Sequence, residues 1–122
     1  MILLSLNHAF AQTTTPKELS GQILKNDICN ETQFPVANAF DNNNNTYFRA
    51  CAQTGNWIGL DLGKKHVLTE IVFGPRMDAD YRDRLQLGIF EGANQPDFGD
   101  AVALYIIPGL TERTLNKQPI FS

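Results

Sequence analysis

Residues 38–84 decide the fold. The stretch opens with Asn38-Ala39-Phe40-Asp41-Asn42-Asn43-Asn44-Asn45-Thr46-Tyr47-Phe48, passes through NWIGLDLGKKHVLTEIVF at 56–73, and closes with GPRMDADYRDR at 74–84. In its middle, Ile58, Leu60 and Leu62 alternate with Trp57, Gly59 and Asp61, a period of two that predicts a strand. Gly63-Lys64-Lys65 supplies a turn. Val67, Thr69, Ile71 and Phe73 then alternate with Leu68, Glu70 and Val72 in a second strand of β-favouring composition. Upstream, four consecutive asparagines cannot sit in a helix interior, because their side chains compete for backbone hydrogen bonds. They suit a loop that turns sharply and presents oxygens.

Outward from this stretch the pattern repeats. Leu85, Leu87 and Ile89 alternate in a third predicted strand stopped by Gly92, and residues 101–107 give a fourth, stopped by Pro108-Gly109. SGQILKNDICNET, at 20–32, reads as a short strand between turns. No segment keeps helical periodicity for three turns. Short strands divided by Gly, Pro, Asn and Asp predict an all-β sandwich. Ile120 and Phe121 look like the entrance to another strand. A sandwich ending there has an open edge and an uncovered apolar face. The chain is then expected to be a fragment, or to receive its missing strands from elsewhere.

The chain has 122 residues, enough for one domain with a modest core. With 43% hydrophobic and 19% charged residues the composition is that of a globular protein, not a disordered one. A net charge of −3 offers no basic field for phosphates and disfavours nucleic-acid binding. MILLSLNHAFAQ begins with a short apolar run, and Ala9-Phe10-Ala11 suits signal-peptidase cleavage after Ala11. No Lys or Arg stands near Met1, so an incomplete signal peptide at 1–11 and a poorly ordered N-terminus are both open readings. The expected organisation is that signal, a polar tether at 12–17, and a sandwich at 18–122 in a secreted, periplasmic or cell-surface protein. The apolar run is too short to span a bilayer. Cys29 and Cys51 have two readings: a disulfide, closing a loop whose cross-link stabilises by about 3 kcal/mol, or two separate buried thiols.

The residue inventory argues against catalysis. Once residues 1–11 are removed, Ser20, Ser122 and His66 are the only serines and histidine, and none lies in a nucleophile motif. Asp78, Asp80 and Asp83 interleave with Arg76, Arg82 and Arg84, which keeps carboxylates ionised instead of raising a pKa for acid catalysis. As an EF-hand the series fails, with Asp83 where glycine is needed and Ile89 where the closing glutamate is needed. Two readings of this loop remain, a self-neutralised surface or polar recognition in which Arg donors and Asp acceptors meet hydroxyl groups. In the asparagine turn, Asp41 offers a carboxylate, Asn43 and turn carbonyls add neutral oxygens, and Thr46 adds a hydroxyl. That set suits calcium, which takes six to eight oxygens, although a second acid from elsewhere is then expected. An Asx-turn without metal is the alternative.

Three strings carry a family resemblance: Ala39–Phe48 against AFDGDxxTxW, Trp57–Gly63 against WIxxDLG, and Phe73–Asp78 against YxPRQD. Their order and spacing resemble the discoidin, or coagulation factor V/VIII C-type, domain and its bacterial galactose-binding-like carbohydrate-binding relatives, over residues 18–107. The resemblance implies a non-catalytic jelly-roll β-sandwich, here lacking its last strands. It implies a structural calcium at Asp41, Asn43 and Thr46 with a carbonyl from Asn38. It also implies a shallow site for galactose-type glycans on loops at one end, with Arg76 on the sugar and Tyr81 or Phe48 stacking, beside Asp78 and Asp83. Asn42 stands where the family has glycine and Phe48 where it has tryptophan, and the acid that completes the calcium shell is missing. The expected function is glycan binding by a secreted module, within a larger polypeptide in one reading. A structural or adhesive module, and an accessory fragment of a glycoside hydrolase, are the alternatives.

Overall fold

A computed structural model of the protein describes residues 17–26, 32–50 and 54–120. Cys29, Cys51 and the proposed signal at 1–11 lie outside the described residues, as does Phe121. The described chain is all-β. Six short strands, β1 (Gln22–Lys25), β2 (Ile58–Asp61), β3 (Glu70–Phe73), β4 (Ile89–Gly92), β5 (Val102–Ile106) and β6 (Asn116–Pro119), are joined by turns and two 3-10 helices, Val36–Phe40 and Arg82–Leu85. Among the described residues no helix is long and apolar enough to cross a membrane.

The strands pair antiparallel as β1–β2, β3–β6 and β4–β5. In the first pair Gln22 faces Asp61 and Lys25 faces Ile58. The approach is so close that a Cβ on Gly21 would collide with the Asp61 carbonyl, so this position requires glycine. Beyond Lys25 the pair is sealed by Asn26, whose amide donates to the Gly55 carbonyl at 2.8 Å and accepts from the Trp57 N–H at 3.2 Å. The expected turn after β2 forms at Gly63, whose φ is +81° and whose N–H donates to the Asp61 carboxylate at 2.9 Å.

Two strand expectations need correction. Leu85, Leu87 and Ile89 do not form a strand. Gln86 N–H donates to Asp83 O and Gly88 N–H to Leu85 O, at 3.3 and 3.0 Å, so local turn bonds displace the extended chain. Leu87 sits at φ +65° and is 70% exposed, and the strand begins only at Ile89. The alternation was real, but the chain meets Ile107 only from Leu87 onward, Leu87 N–H donating to Ile107 O at 3.0 Å and Ile107 N–H to Gly88 O at 2.9 Å. Conversely, β6 precedes the expected entrance at Ile120. Its sequence, NKQP, has no apolar alternation, and it pairs with β3 from Phe73↔Asn116 to Glu70↔Pro119. The Ile120 N–H continues that ladder to the Thr69 carbonyl at 2.9 Å.

Val36, Ile71, Ile107 and Ile120 form the buried core, each 8% exposed or less. Phe73 of β3 meets Phe90 of β4 and Tyr105 of β5 at ring distances of 5.1 and 6.2 Å, joining two of the strand pairs. Outward-pointing Val72, Ile89, Val102 and Ile106 stay exposed. A groove of about 300 Å³, with polar and apolar walls, runs past Phe73, Tyr105, Leu110, Glu112, Leu115 and Lys117. The core fixes two segments beside one another. One is the 3-10 turn with the asparagine loop after it, and the other is the charged loop that leaves β3.

Candidate functional site

Pro35, at φ −66°, starts the first 3-10 turn, and Asn38 N–H closes it on the Pro35 carbonyl at 3.0 Å. The asparagines then curl the chain back. Asn42 takes a left-handed φ of +58°, the conformation expected of asparagine in place of the family's glycine. Asn43 N–H donates to the Asp41 carboxylate and Asn45 N–H to the Asn43 side-chain oxygen, both at 2.9 Å. Around the Thr46 hydroxyl stand Asp41 Oδ2 at 2.6 Å, the Asn43 carbonyl at 3.0 Å and the Asn38 carbonyl at 3.5 Å. All four residues expected to surround a cation are thus brought together. The hydroxyl and the Asn43 N–H hold the Asp41 carboxyl below its ordinary pKa. One hydroxyl proton can satisfy only one of the three acceptors, so the turn crowds oxygen on oxygen. Glu18 reaches the edge of this turn, accepting from the Asn42 amide at 3.1 Å.

The turn delivers Tyr47 to the second segment. In the loop after β3, Arg76 grips Asp78 through a bidentate fork, Nε to Oδ1 and Nη2 to Oδ2, both at 2.6 Å. The fork raises the pKa of Arg76 and lowers that of Asp78. Because it uses the edge of the planar guanidinium, the faces remain for aromatic rings. The Tyr47 ring lies 4.0 Å from the Arg76 guanidinium carbon and the Tyr81 ring 4.4 Å. Contacts continue both ways, with Arg84 4.5 Å from Tyr81, Phe34 stacked on Tyr47 at 5.0 Å, and Arg49 5.9 Å from Phe34. Arg49, Phe34, Tyr47, Arg76, Tyr81 and Arg84 therefore form one continuous ladder of rings and guanidiniums. Each such contact contributes about 0.5–1 kcal/mol at an exposed site.

A second fork holds the loop in place. Arg82 binds Asp80 through Nε at 2.8 Å and Nη2 at 2.9 Å, and its Nη1 donates to the Thr111 carbonyl at 3.4 Å, tying the loop to the segment between β5 and β6. Hydrogen bonding from Arg82 takes the Asp80 carboxyl from 3.8 to about 2. Asp78 and Asp80, held low, are unsuited to serve as general acids near neutral pH.

Of the expected ligand residues, Arg76, Asp78 and Tyr81 meet in one cluster. Asp83 is exposed in the same loop, with no carboxylate contact to an arginine among the described ion pairs. Phe48 is half-buried and joins none of the described ring contacts, which fall instead on its neighbour Tyr47. Sequence reasoning missed Tyr47, Phe34 and Arg49, and named Arg84 only as one of the interleaved arginines of the loop. Tyr47 had a usable signal, being the aromatic that follows the turn directly; Phe34 and Arg49 meet the loop only through the fold. Both tyrosines already carry guanidiniums, so the ladder offers ring edges, hydroxyls and N–H groups more than free ring faces.

The chain is similar to a solved structure described as CBM62 from Clostridium thermocellum Xyl5A. Identity is 36% and the TM-score 0.77, over 85% of this chain and 76% of that one. No family model matches the chain, and no curated protein sequence does.

Proposed function

The chain belongs to the CBM62 carbohydrate-binding modules, a non-catalytic kind of domain, and on that premise we propose that it binds galactose-type glycans through the loop surface around Arg76. The observation that carries this reading is the Arg76–Asp78 fork set against the Tyr47 and Tyr81 rings, a rigid polar cluster on an exposed loop. Tyrosine hydroxyls, guanidinium N–H groups and carboxylate oxygens together offer both donors and acceptors, as sugar hydroxyls require. An open site of few contacts retains little surplus free energy, so affinity near millimolar is expected. The test is titration of wild type and Arg76→Ala with a neutral galacto-oligosaccharide, with folding checked by circular dichroism. Charge-assisted hydrogen bonds of this kind contribute enough that the variant binds at least about tenfold more weakly. Equal binding by both proteins contradicts the assignment to Arg76.

The asparagine turn serves this site as a structural calcium loop in the same reading. Its donors are all hard oxygens, from Asp41, Asn43, Asn38 and Thr46, and that chemistry fits calcium. Four such donors are fewer than calcium takes, and the Glu18 carboxylate stands at the turn's edge as a further acid. Export to the periplasm, cell surface or medium completes the proposal, supported by the apolar run and Ala9-Phe10-Ala11 of the sequence.

A further inference from the structure

Four of the five arginines of the chain, Arg49, Arg76, Arg82 and Arg84, belong to the ladder or to the fork beside it, whereas the lysines (17, 25, 64, 65 and 117) all lie outside it. Arginine is the cation whose planar donors match a carboxylate edge to edge, and lysine is not. Arg76 and Arg82 already have such partners in Asp78 and Asp80. Arg84 and Arg49 do not. Among the described residues neither makes an ion pair, and both are exposed.

Arg84 is the better placed of the two. Its guanidinium lies 4.5 Å from the Tyr81 ring, a contact that orients it and leaves N–H donors toward solvent. The other charges facing this end are Asp83 on the same loop, and Glu112 and Arg113 on the segment between β5 and β6, which bear on Arg82 and Asp80. Both oxygens of Asp78 and both of Asp80 are engaged by guanidiniums. The two forks thus use the carboxylates beside Arg76 and Arg82, and the Arg84 donors are left without one. On a chain whose net charge is −3, Arg84 is the arginine of this loop that no described carboxylate pairs.

Resting on the glycan-binding reading above, we infer that the sugar bound here carries a carboxylate, and that Arg84 pairs with it: the ligand class is a uronic-acid glycan of galactose configuration. A neutral galactoside presents hydroxyls that each need a donor and an acceptor. A uronate presents an acceptor-only edge that fits the unpaired guanidinium.

The test titrates the full chain with a galacturonic-acid oligomer and a neutral galactose oligomer of equal length, at low salt and at about 0.5 M, where surface charge is screened. The uronate is expected to bind about fivefold tighter at low salt, the range of an exposed ion pair, with the preference shrinking at high salt. Arg84→Gln abolishes the preference, so that the uronate and the neutral oligomer bind this variant alike, while Lys64→Gln, which removes a charge outside the ladder, leaves the preference intact. Equal or tighter binding of the neutral oligomer overturns this inference alone. A preference that survives Arg84→Gln overturns the role of Arg84. Binding of neither oligomer by the folded chain overturns the glycan reading as well.

Discussion

Asn38 joins the two halves of the site: its side-chain amide donates to the Tyr47 carbonyl at 3.1 Å, while its own carbonyl faces the Thr46 hydroxyl in the asparagine turn. One residue therefore ties the oxygen cluster to the backbone that carries the ring lying on Arg76.

Asn38→Ala removes the tether and keeps the backbone carbonyl. The expected result is a loss of about 1 kcal/mol in stability, that of one part-buried hydrogen bond, together with weaker glycan binding. Calcium should still raise the melting temperature of the variant. Denaturation and titration of the same sample check this, and unchanged glycan affinity would show that the two halves act separately.

Calcium itself is tested by melting the protein with the ion and with chelator. Binding only to the folded state at about 100 times Kd stabilises by about 2.7 kcal/mol, a shift of about ten degrees for a domain of this size. Asp41→Asn is expected to abolish the shift, because it removes the turn's carboxylate charge. A wild-type midpoint that ignores calcium would sink the cation reading.

Acid should leave the charged loop intact longer than ordinary carboxylates allow. The Asp80 pKa is depressed in the folded state, to about 2 from 3.8, so its contribution is complete above the ordinary value. It is lost as pH falls through the folded value. Carboxyl NMR titration is expected to place Asp80 near the bottom of the aspartates. Asp78 and Asp41 are also displaced downward, held first by Arg76 and by Thr46 respectively. A midpoint near 3.8 for Asp80 would show that the Arg82 fork does not persist in solution.

Gly21→Ala tests the pairing of β1 with β2. The added Cβ meets the Asp61 backbone carbonyl, which is held in the ladder and cannot swing away as a side chain could. Overpacking of this kind costs about 1–3 kcal/mol. Chemical denaturation measures it, and a neutral result would mean that β1 sits farther from β2.

The sequence was most legible where local chemistry dictates conformation. Alternation located β2, an apolar segment stopped by Pro108-Gly109 located β5, the glycine turn after Asp61 formed where expected, and the asparagine turn put Asp41, Asn43, Thr46 and Asn38 around one point. Of the interleaved Asp and Arg residues, Arg76 paired with Asp78 and Arg82 with Asp80, whereas Asp83 and Arg84 join no described ion pair. Legibility failed where partners come from far along the chain. β6 is a strand because β3 offers it a ladder, not because NKQP favours one. Leu85–Ile89 alternates yet turns, because Ile107 and the turn carbonyls capture its N–H groups. The ladder shows the same limit, since Phe34 and Arg49 come to the charged loop through packing that no local motif encodes. The three motif strings nevertheless led to the carbohydrate-binding relatives, and the similarity to CBM62 bears out that class.

The central claim is that glycan meets the protein at the ladder. The most direct measurement is NMR mapping of the labelled chain during titration with galactose and galacturonic-acid oligomers. The account predicts that the largest shifts fall on Tyr47, Arg76, Tyr81 and Arg84. Shifts centred instead on the groove at Tyr105 and Leu115, or none in a folded sample, would contradict it.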